Sequence, residues 1–169
     1  YSETEALLSE SLFVSSPGDL NSLVALLRTE IFNETLVDEM LNLFSNCANT
    51  DADMSGSPVD QRVLLSMSGL VEIILFSVLP NYSHNPLAIE HSTLILATIS
   101  HSPENAIANR FISLNPCDVP SRGVVQITGL DALLTFSLKM FSSHEEILEN
   151  SICIIYNLSQ FAGGLFKAF

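Results

Sequence analysis

The sequence predicts an all-α fold made of about three helical repeats, that is, an α-solenoid. Three stretches align on Val37, Ile89 and Leu148, and each has an acidic residue in its second position and apolar residues at the same later positions. A shorter pattern precedes each stretch: Gly or Asp, then Leu, then two variable residues and a pair of apolar residues. No alternation of apolar and polar residues persists along the chain, so no β-strand is predicted. Units of this kind bury their apolar faces only by stacking on one another.

Each unit is predicted to contain a first helix, a polar break and a longer last helix. The first helices open at Asp19, Gly69 and Gly129, and Asp19 is expected to cap the earliest of them. The breaks contain polar residues, with prolines in the second, and they cover residues 29–33, 80–86 and 142–146. The last helices cover residues 37–49, 89–101 and 148–160.

The connections between units are too long for tight turns. The first connection is expected to contain a loop and a short helix at 59–67. The second is expected to contain a helix at 103–113, a loose loop and a short turn at 124–127. Because Asp, Ser, Pro and Gly collect in them, the loops 50–56 and 116–122 are predicted to be mobile.

The predicted domain organisation follows from these elements. A lead-in or capping helix at residues 1–18 is expected to stop before Pro17. A repeat domain at residues 19–169 follows, with units at about 19–50, 59–101 and 103–160. We expect the sequence to be a piece of a longer chain.

Composition and charge limit the class of function. The 169 residues are 47% hydrophobic and only 15% charged, which excludes disorder and is typical of helices buried on more than one side. The net charge of −13, with six Lys and Arg in total, argues against nucleic acid as a partner. An acidic surface instead favours basic protein segments. The most apolar run, at 64–79, is interrupted by polar residues and too short for a membrane span.

The cysteines and the start of the chain bear on localisation. Cys47, Cys117 and Cys153 are an odd number without a CxxC pair, so neither a disulfide framework nor a zinc site is indicated. Glycosylation acceptor patterns begin at Asn33, Asn81 and Asn157 and keep a secreted origin open. No signal peptide is recognised at the start. We expect an intracellular protein, in the cytoplasm rather than the nucleus.

The stretch from residue 129 to residue 160 resembles an armadillo repeat. It has a Gly-Leu opening, a helix of Leu and Phe residues, the break SSHEE and the ending ILENSICIIYNLSQ. The resemblance extends over most of residues 19–160, with wider spacing between units than the ~40 residues of such repeats. It implies a right-handed α-solenoid of about three divergent armadillo-like repeats with inserted connections, and a HEAT-like or irregular solenoid is the alternative.

The resemblance also implies a binding groove. In armadillo proteins the last helices line a concave groove, where an Asn near the end of each helix binds the main chain of a partner. The corresponding positions in this chain are Asn46, Thr98 and Asn157, so the implied ladder is interrupted in the middle. Family members that bind nuclear-import peptides have a Trp four residues earlier, whereas this chain has no Trp. Recognition of import signals is therefore not indicated.

Helical spacing independently places polar side chains on one face of each last helix. A face that only meets water usually carries Lys and Glu, whereas Asn and Gln offer donors and acceptors to an extended main chain. We therefore predict a partner-binding groove, and the alternative is that these faces are merely solvated. The predicted groove residues are Asn42, Asn46, Asn49, His91, Thr98, His101, Asn150, Cys153, Asn157 and Gln160.

No pattern in the sequence indicates catalysis, a metal or a cofactor. The four histidines lack ligand spacing, and neither a phosphate-binding loop nor GxSxG occurs. We expect a non-catalytic scaffold that binds an extended or helical segment of a partner protein. The alternative is a structural solenoid segment that associates with itself, or with further repeats, through an apolar C-terminal end. That end would consist of Phe161, Leu165, Phe166 and Phe169.

Overall fold

The computed structural model describes residues 17–49, 65–101 and 106–161, and over these ranges the chain is mostly helical. Residues 65–67 are also helical. The elements are α1 (Pro17–Thr29), α2 (Glu34–Asn49), α3 (Leu70–Ile73, then π-helical Ile74–Val78, then Leu79–Asn81), α4 (Pro86–Ser100), α5 (Ala106–Ile112), β1 (Leu114–Val119), β2 (Gly123–Thr128), α6 (Gly129–Leu133, then π-helical Leu134–Leu138) and α7 (Glu145–Phe161).

The three predicted last helices are confirmed as α2, α4 and α7. The polar breaks start two of these helices by capping them. Asn33 precedes α2, and its Oδ1 accepts from the backbone N–H of Leu36 at 3.3 Å. Asn85 is the N-cap of α4, and its Oδ1 accepts from the N–H of Ala88 at 3.2 Å. Such caps satisfy backbone donors that the first turn of a helix leaves unpaired.

The long helices form a row in chain order, with α4 packed between α2 and α7. Helices α3 and α6 form a second layer: α3 contacts α4, α6 contacts α7, and α3 and α6 contact each other. The core lies between the layers and contains apolar side chains that are at most 1% exposed, among them Phe44, Ile74, Leu96, Leu133 and Ile154. The helices therefore bury apolar side chains between the layers, and α4 is also buried on the sides that meet α2 and α7.

Two contacts fix the connections to this core. The hydroxyl of Tyr82 donates to the backbone carbonyl of Ile31, which joins the end of α3 to the turn between α1 and α2. Arg110 on α5 forms an ion pair with Glu72 on α3 at 3.3 Å. The short helix α5 is thereby held against the start of α3.

The helices α3 and α6 both widen after their first turn. The N–H of Leu79 bonds to the carbonyl of Ile74, and the N–H of Lys139 bonds to the carbonyl of Leu134 at 2.9 Å. Both bonds span five residues, as in a π-helix. The two segments occupy corresponding positions when the chain is aligned on Gly69 and Gly129.

Glycine is required at these two positions for different structural reasons. Gly69 is the N-cap of α3 and has a φ of 88°, a left-handed conformation that favours glycine. Gly129 follows the capping residue Thr128 at the start of α6. A Cβ atom on Gly129 would lie 2.8 Å from Leu75 Cδ1 and 2.9 Å from Phe111 Cα. Only glycine therefore allows α3 and α5 to pack this closely against α6.

The prediction that the chain lacks strands is wrong. Instead of a loose loop at 116–122 and a short turn at 124–127, an antiparallel hairpin pairs Leu114 with Thr128 through to Val119 with Gly123. Burial along β1 alternates, with Cys117 buried and Asp118 exposed. Hydropathy does not follow this alternation, because Leu114 and Val124 are 66% and 69% exposed. This mismatch is why the hydropathy pattern did not indicate the hairpin.

One smaller prediction also needs correction. Asp19 does not cap α1, because Pro17 and Gly18 before it already belong to that helix. The helix predicted at 103–113 is present as α5, over the described residues Ala106–Ile112. Residues 1–16 of the lead-in predicted at 1–18, the loop at 50–56, most of the helix at 59–67 and residues 103–105 lie outside the described residues.

Candidate functional site

Five of the predicted groove residues converge between α4 and α7. They line a shallow pocket of about 310 Å³, in which α4 contributes one wall and α7 the other. Apolar side chains complete the lining, and no Lys, Arg, Asp or Glu of the described residues takes part. The lining residues are Leu94, Ala97, Thr98, His101, Asn150, Cys153 and Asn157.

Two asparagines of α7 position this wall. The Nδ2 group of Asn157 donates to the carbonyl of Ala97 at 3.3 Å and to Ser100 Oγ at 3.1 Å. The Nδ2 group of Asn150 donates to Thr93 Oγ1 at 3.2 Å and lies 3.4 Å from the carbonyl of Glu90. Because these residues are seven apart, they lie on one face of α7, and that face is bonded to α4.

The sequence-based interpretation of Asn157 as an exposed amide is wrong. Its side chain is only 5% exposed. The donor group is used in bonds to α4, so it joins two helices of this chain. Both bonds use Nδ2, and the Oδ1 atom takes part in neither of them. Amphipathic spacing identified the face correctly as polar, but it could not distinguish a face toward solvent from a face toward a neighbouring helix.

The accessible part of the pocket lies on its rim. Cys153 and His101 are exposed, and Thr98 is half-buried with its hydroxyl bonded to the carbonyl of Leu94 at 2.9 Å. Leu94 is half-buried and contributes apolar surface beside them. The pocket therefore combines an apolar floor, amides fixed by the helix packing, and an exposed thiol and imidazole at its edge, with the Cys153 sulfur accepting from Asn157 Nδ2 at 3.6 Å.

The other predicted groove residues lie outside this pocket. Asn42 and Asn46 are exposed on α2, and Gln160 is exposed near the end of α7. His91 is half-buried, and its Nδ1 atom is buried without a hydrogen-bond partner among the described residues. Asn49 and Phe161 belong to α2 and α7. Leu165, Phe166 and Phe169 lie outside the described residues.

A polar contact also joins α2 to α4. Asn85 Nδ2 donates to Glu34 Oε1 at 3.0 Å and to both carboxylate oxygens of Asp38 at 3.2 Å. Asn85 thus caps α4 with its oxygen and binds α2 with its nitrogen. Both junctions in the row of long helices are therefore made with side-chain amides.

The three cysteines differ in burial. Cys153 is exposed, whereas Cys47 and Cys117 are buried. Burial raises the pKa of the Cys47 thiol. Burial, and then the neighbouring Asp118 carboxylate, raise the pKa of the Cys117 thiol to about 11. Since the thiolate is the reactive form, a reagent should select the groove cysteine.

Two depressions were not anticipated from the sequence. A pocket of about 200 Å³ lies between the hairpin and α6, with Val125, Ile127 and Phe136 among its lining residues. A wider depression of about 500 Å³ lies between α6 and α7 and is lined by apolar side chains such as Leu134 and Leu148. The first pocket is formed by the hairpin, which the sequence did not predict. The second lies on one side of α7, and the sequence does not show which side of that helix packs against its neighbours.

The described ranges contain neither a membrane-spanning helix nor a metal cluster. No helix in them is long and apolar enough to cross a membrane. In the same part of the chain, no group of three or more His, Cys, Asp and Glu residues is arranged to hold a metal ion. Compared with protein-family models, curated proteins and solved structures, the chain matches none of them.

Proposed function

We propose that this chain is a non-catalytic protein-interaction module that binds a segment of a partner protein in the groove between α4 and α7. The observation that carries the proposal is the convergence of Thr98, His101, Asn150, Cys153 and Asn157 on one pocket. These residues come from helices that the sequence aligns with each other. A pocket at such a junction, with an apolar floor and a few polar groups, is a typical site for a bound segment.

The proposed architecture is a short α-solenoid of armadillo-like type. Its support is the row formed by α2, α4 and α7, with α3 and α6 packed behind α4 and α7. The corresponding π-helical segments of α3 and α6 add to that support. In such an array the groove would run across the row of long helices, past the exposed Asn42 and Asn46 on α2.

The charge of the chain favours a basic segment as the occupant. The net charge is −13, and no Lys or Arg of the described residues lines the pocket. A cationic segment would therefore approach in an attractive field without meeting a like charge at the site. Because the half-buried Asn150 uses its Nδ2 group for α4, its side-chain oxygen is the group left to accept from an N–H donor of a peptide.

The thiol of Cys153 provides the test. Short synthetic peptides that differ in net charge would be titrated against the protein, with fluorescence anisotropy as the readout. A second preparation would carry a bulky maleimide on Cys153. We expect basic peptides to bind the unmodified protein, with affinity lost by about tenfold or more on modification, because the adduct fills the groove.

A neighbouring residue gives the matched control. In a Cys153→Ser background, Ile152→Cys would carry the same maleimide on the side of α7 that faces the α6–α7 depression. Peptide affinity should then stay within about twofold of the unmodified protein. Absence of binding by every peptide, or equal loss from both adducts, would contradict the groove as the site.

A further inference from the structure

The outer face of the last helix pair, α6 and α7, is apolar and, among the described residues, exposed. Leu134 and Leu138 of α6 and Leu148 and Ile152 of α7 line the depression of about 500 Å³ between these helices. Ile152 is 53% exposed, and Tyr156, one turn further along α7, is 62% exposed. We call these five residues the end face. Exposed apolar side chains that cluster in this way mark interaction sites.

The aligned residues of the preceding helices are all buried. Ile152 aligns with Thr93 on α4 and Leu41 on α2, and both are 0% exposed. Tyr156 aligns with Ala97 and Ser45, which are 6% and 4% exposed. In the row, α4 packs against α2 and α7 packs against α4, so each of these faces lies at a junction with the next helix. The end face includes the corresponding surface of α7, but no helix of the described residues packs on it.

A hydrogen-bond pattern repeats at the end face. On α4, Ser100 Oγ donates to the carbonyl of Ala97 at 2.8 Å, and Asn157 Nδ2 bonds to both of these groups. On α7, Ser159 Oγ donates to the carbonyl of Tyr156 at 2.6 Å. The carbonyl of Tyr156 and the hydroxyl of Ser159 thus correspond to the two groups that Asn157 binds on α4, and they are exposed. The end face therefore has the polar as well as the apolar features of an internal helix junction.

We propose that the end faces of two copies of this chain pack against each other. The two copies then form a closed dimer with twofold symmetry. Charge complementarity on the rim supports this occupant. Lys139 lines the depression at the end of α6, while Glu145 and Glu149 share the stripe of α7 that carries Ile152 and Tyr156. A twofold axis parallel to the helices brings the α6 of one copy over the α7 of the other. It thereby sets Lys139 against those carboxylates.

This arrangement is self-limiting. In an isologous pair the two end faces cover each other, so association stops at the dimer and does not continue into a filament. The groove is formed by α7 with α4, whereas the end face is formed by α7 with α6, so the two sites use different neighbours of α7.

Analytical ultracentrifugation over a range of protein concentrations tests the proposal. The wild-type chain should show a monomer–dimer equilibrium. Ile152→Glu and Tyr156→Ser should each weaken dimerisation by about tenfold or more, because each removes apolar area at the centre of the interface. Leu87→Glu is the control: Leu87 is also 53% exposed but lies in the first turn of α4, outside the end face, and its replacement should leave the dimer unchanged.

Three outcomes would overturn the proposal. These are a wild-type chain that stays monomeric at all concentrations, open-ended oligomers, and a dimer that persists in both end-face variants. Circular dichroism verifies that each variant keeps its helices. Because Ile152 and Tyr156 are already exposed, polar replacements there should not unfold the chain.

Discussion

Asn157 on α7 donates a hydrogen bond from Nδ2 to the backbone carbonyl of Ala97 on α4, at 3.3 Å. A side chain of the last long helix therefore binds the main chain of the long helix before it. The bond is buried, where an unpaired carbonyl or amide costs more than it does in water. The residue that the sequence suggested as a partner-binding amide thus holds together the two helices that form the groove.

The first prediction concerns the stability of this junction. Asn157→Ala should lower the free energy of unfolding by about 1–3 kcal/mol, because it leaves the buried Ala97 carbonyl and Ser100 hydroxyl without the amide donor. Urea denaturation followed by circular dichroism measures the change. Asn42→Ala is the matched control, since Asn42 is exposed on α2, and its effect should stay within about 0.5 kcal/mol. Equal effects of the two replacements would contradict the buried bond.

The second prediction compares two aligned serines. Ser151 on α7 is fully buried, shares a hydrogen bond of 2.7 Å with Ser137 and donates to the carbonyl of Ile147 at 2.7 Å. Ser92 on α4 is equally buried, but its Oγ has no partner among the described residues. Ser151→Ala should cost about 1–2 kcal/mol, whereas Ser92→Ala should be neutral or stabilising by up to about 1 kcal/mol.

The same denaturation experiment measures both serine variants. Each replacement removes one hydroxyl at a fully buried helical position, so the difference between them reports the hydrogen bonds. A Ser92 variant that loses as much stability as the Ser151 variant would show that the Ser92 hydroxyl has a bonding partner.

The third prediction concerns Gly129. A methyl group there would meet Leu75 Cδ1 at 2.8 Å, Phe111 Cα at 2.9 Å and the carbonyl oxygen of Arg110 at 3.0 Å. Two of these atoms belong to the backbone and cannot move without shifting α5. Gly129→Ala should therefore destabilise the chain by about 1–3 kcal/mol, although alanine normally favours a helix.

Gly123 in the hairpin turn gives the comparison for Gly129. It has a φ of 74°, and a Cβ atom added to it would meet no described atom within 4 Å. Gly123→Asn should cost less than about 1 kcal/mol, since Asn tolerates the left-handed region. Thermal unfolding of both variants measures which of them loses more stability. A Gly129→Ala protein as stable as the wild type would contradict the close packing of α5 on α6.

The glycine, serine and asparagine contacts indicate how much the sequence could predict. Spacing of apolar residues located α2, α4 and α7, because a long helix repeats its signal over several turns. It also placed Thr98, Cys153 and Asn157 on polar faces. It could not tell that Asn157 points at a neighbouring helix, since that depends on the side on which α4 packs. The hairpin was missed because Leu114 and Val124 are exposed apolar residues that obscure the alternation of β1 and β2.

The fourth prediction concerns alkaline pH. The pKa of the Cys117 thiol is raised from 9.0 to about 11 in the folded chain, by burial first and then by Asp118. The unfolded chain therefore releases this proton at lower pH than the folded chain does. The contribution to stability is complete below pH 9.0 and is lost as the pH rises towards about 11. The loss should be on the order of 2 kcal/mol.

Urea midpoints measured at several alkaline pH values check this dependence. Burial also raises the pKa of the Cys47 thiol and that of Tyr82, the latter with smaller effects of Glu34 and Asp38, and both add a loss of the same sign. Cys117→Ser isolates the Cys117 contribution, because the serine hydroxyl does not titrate in this range. Its stability should fall less steeply with pH than that of the wild type, and identical slopes would rule out the thiol as a cause.

The binding groove itself is tested by the chemical reactivity of Cys153. The rate at which a small maleimide modifies this thiol would be measured alone and with a saturating basic peptide, and Ile152→Cys in a Cys153→Ser background would be measured in the same way. If the peptide binds in the groove, it should slow modification of Cys153 by about tenfold or more, because the bound peptide covers the thiol. The rate at position 152 should stay unchanged. A peptide that binds tightly while Cys153 reacts at its free rate would place the binding site elsewhere on the chain.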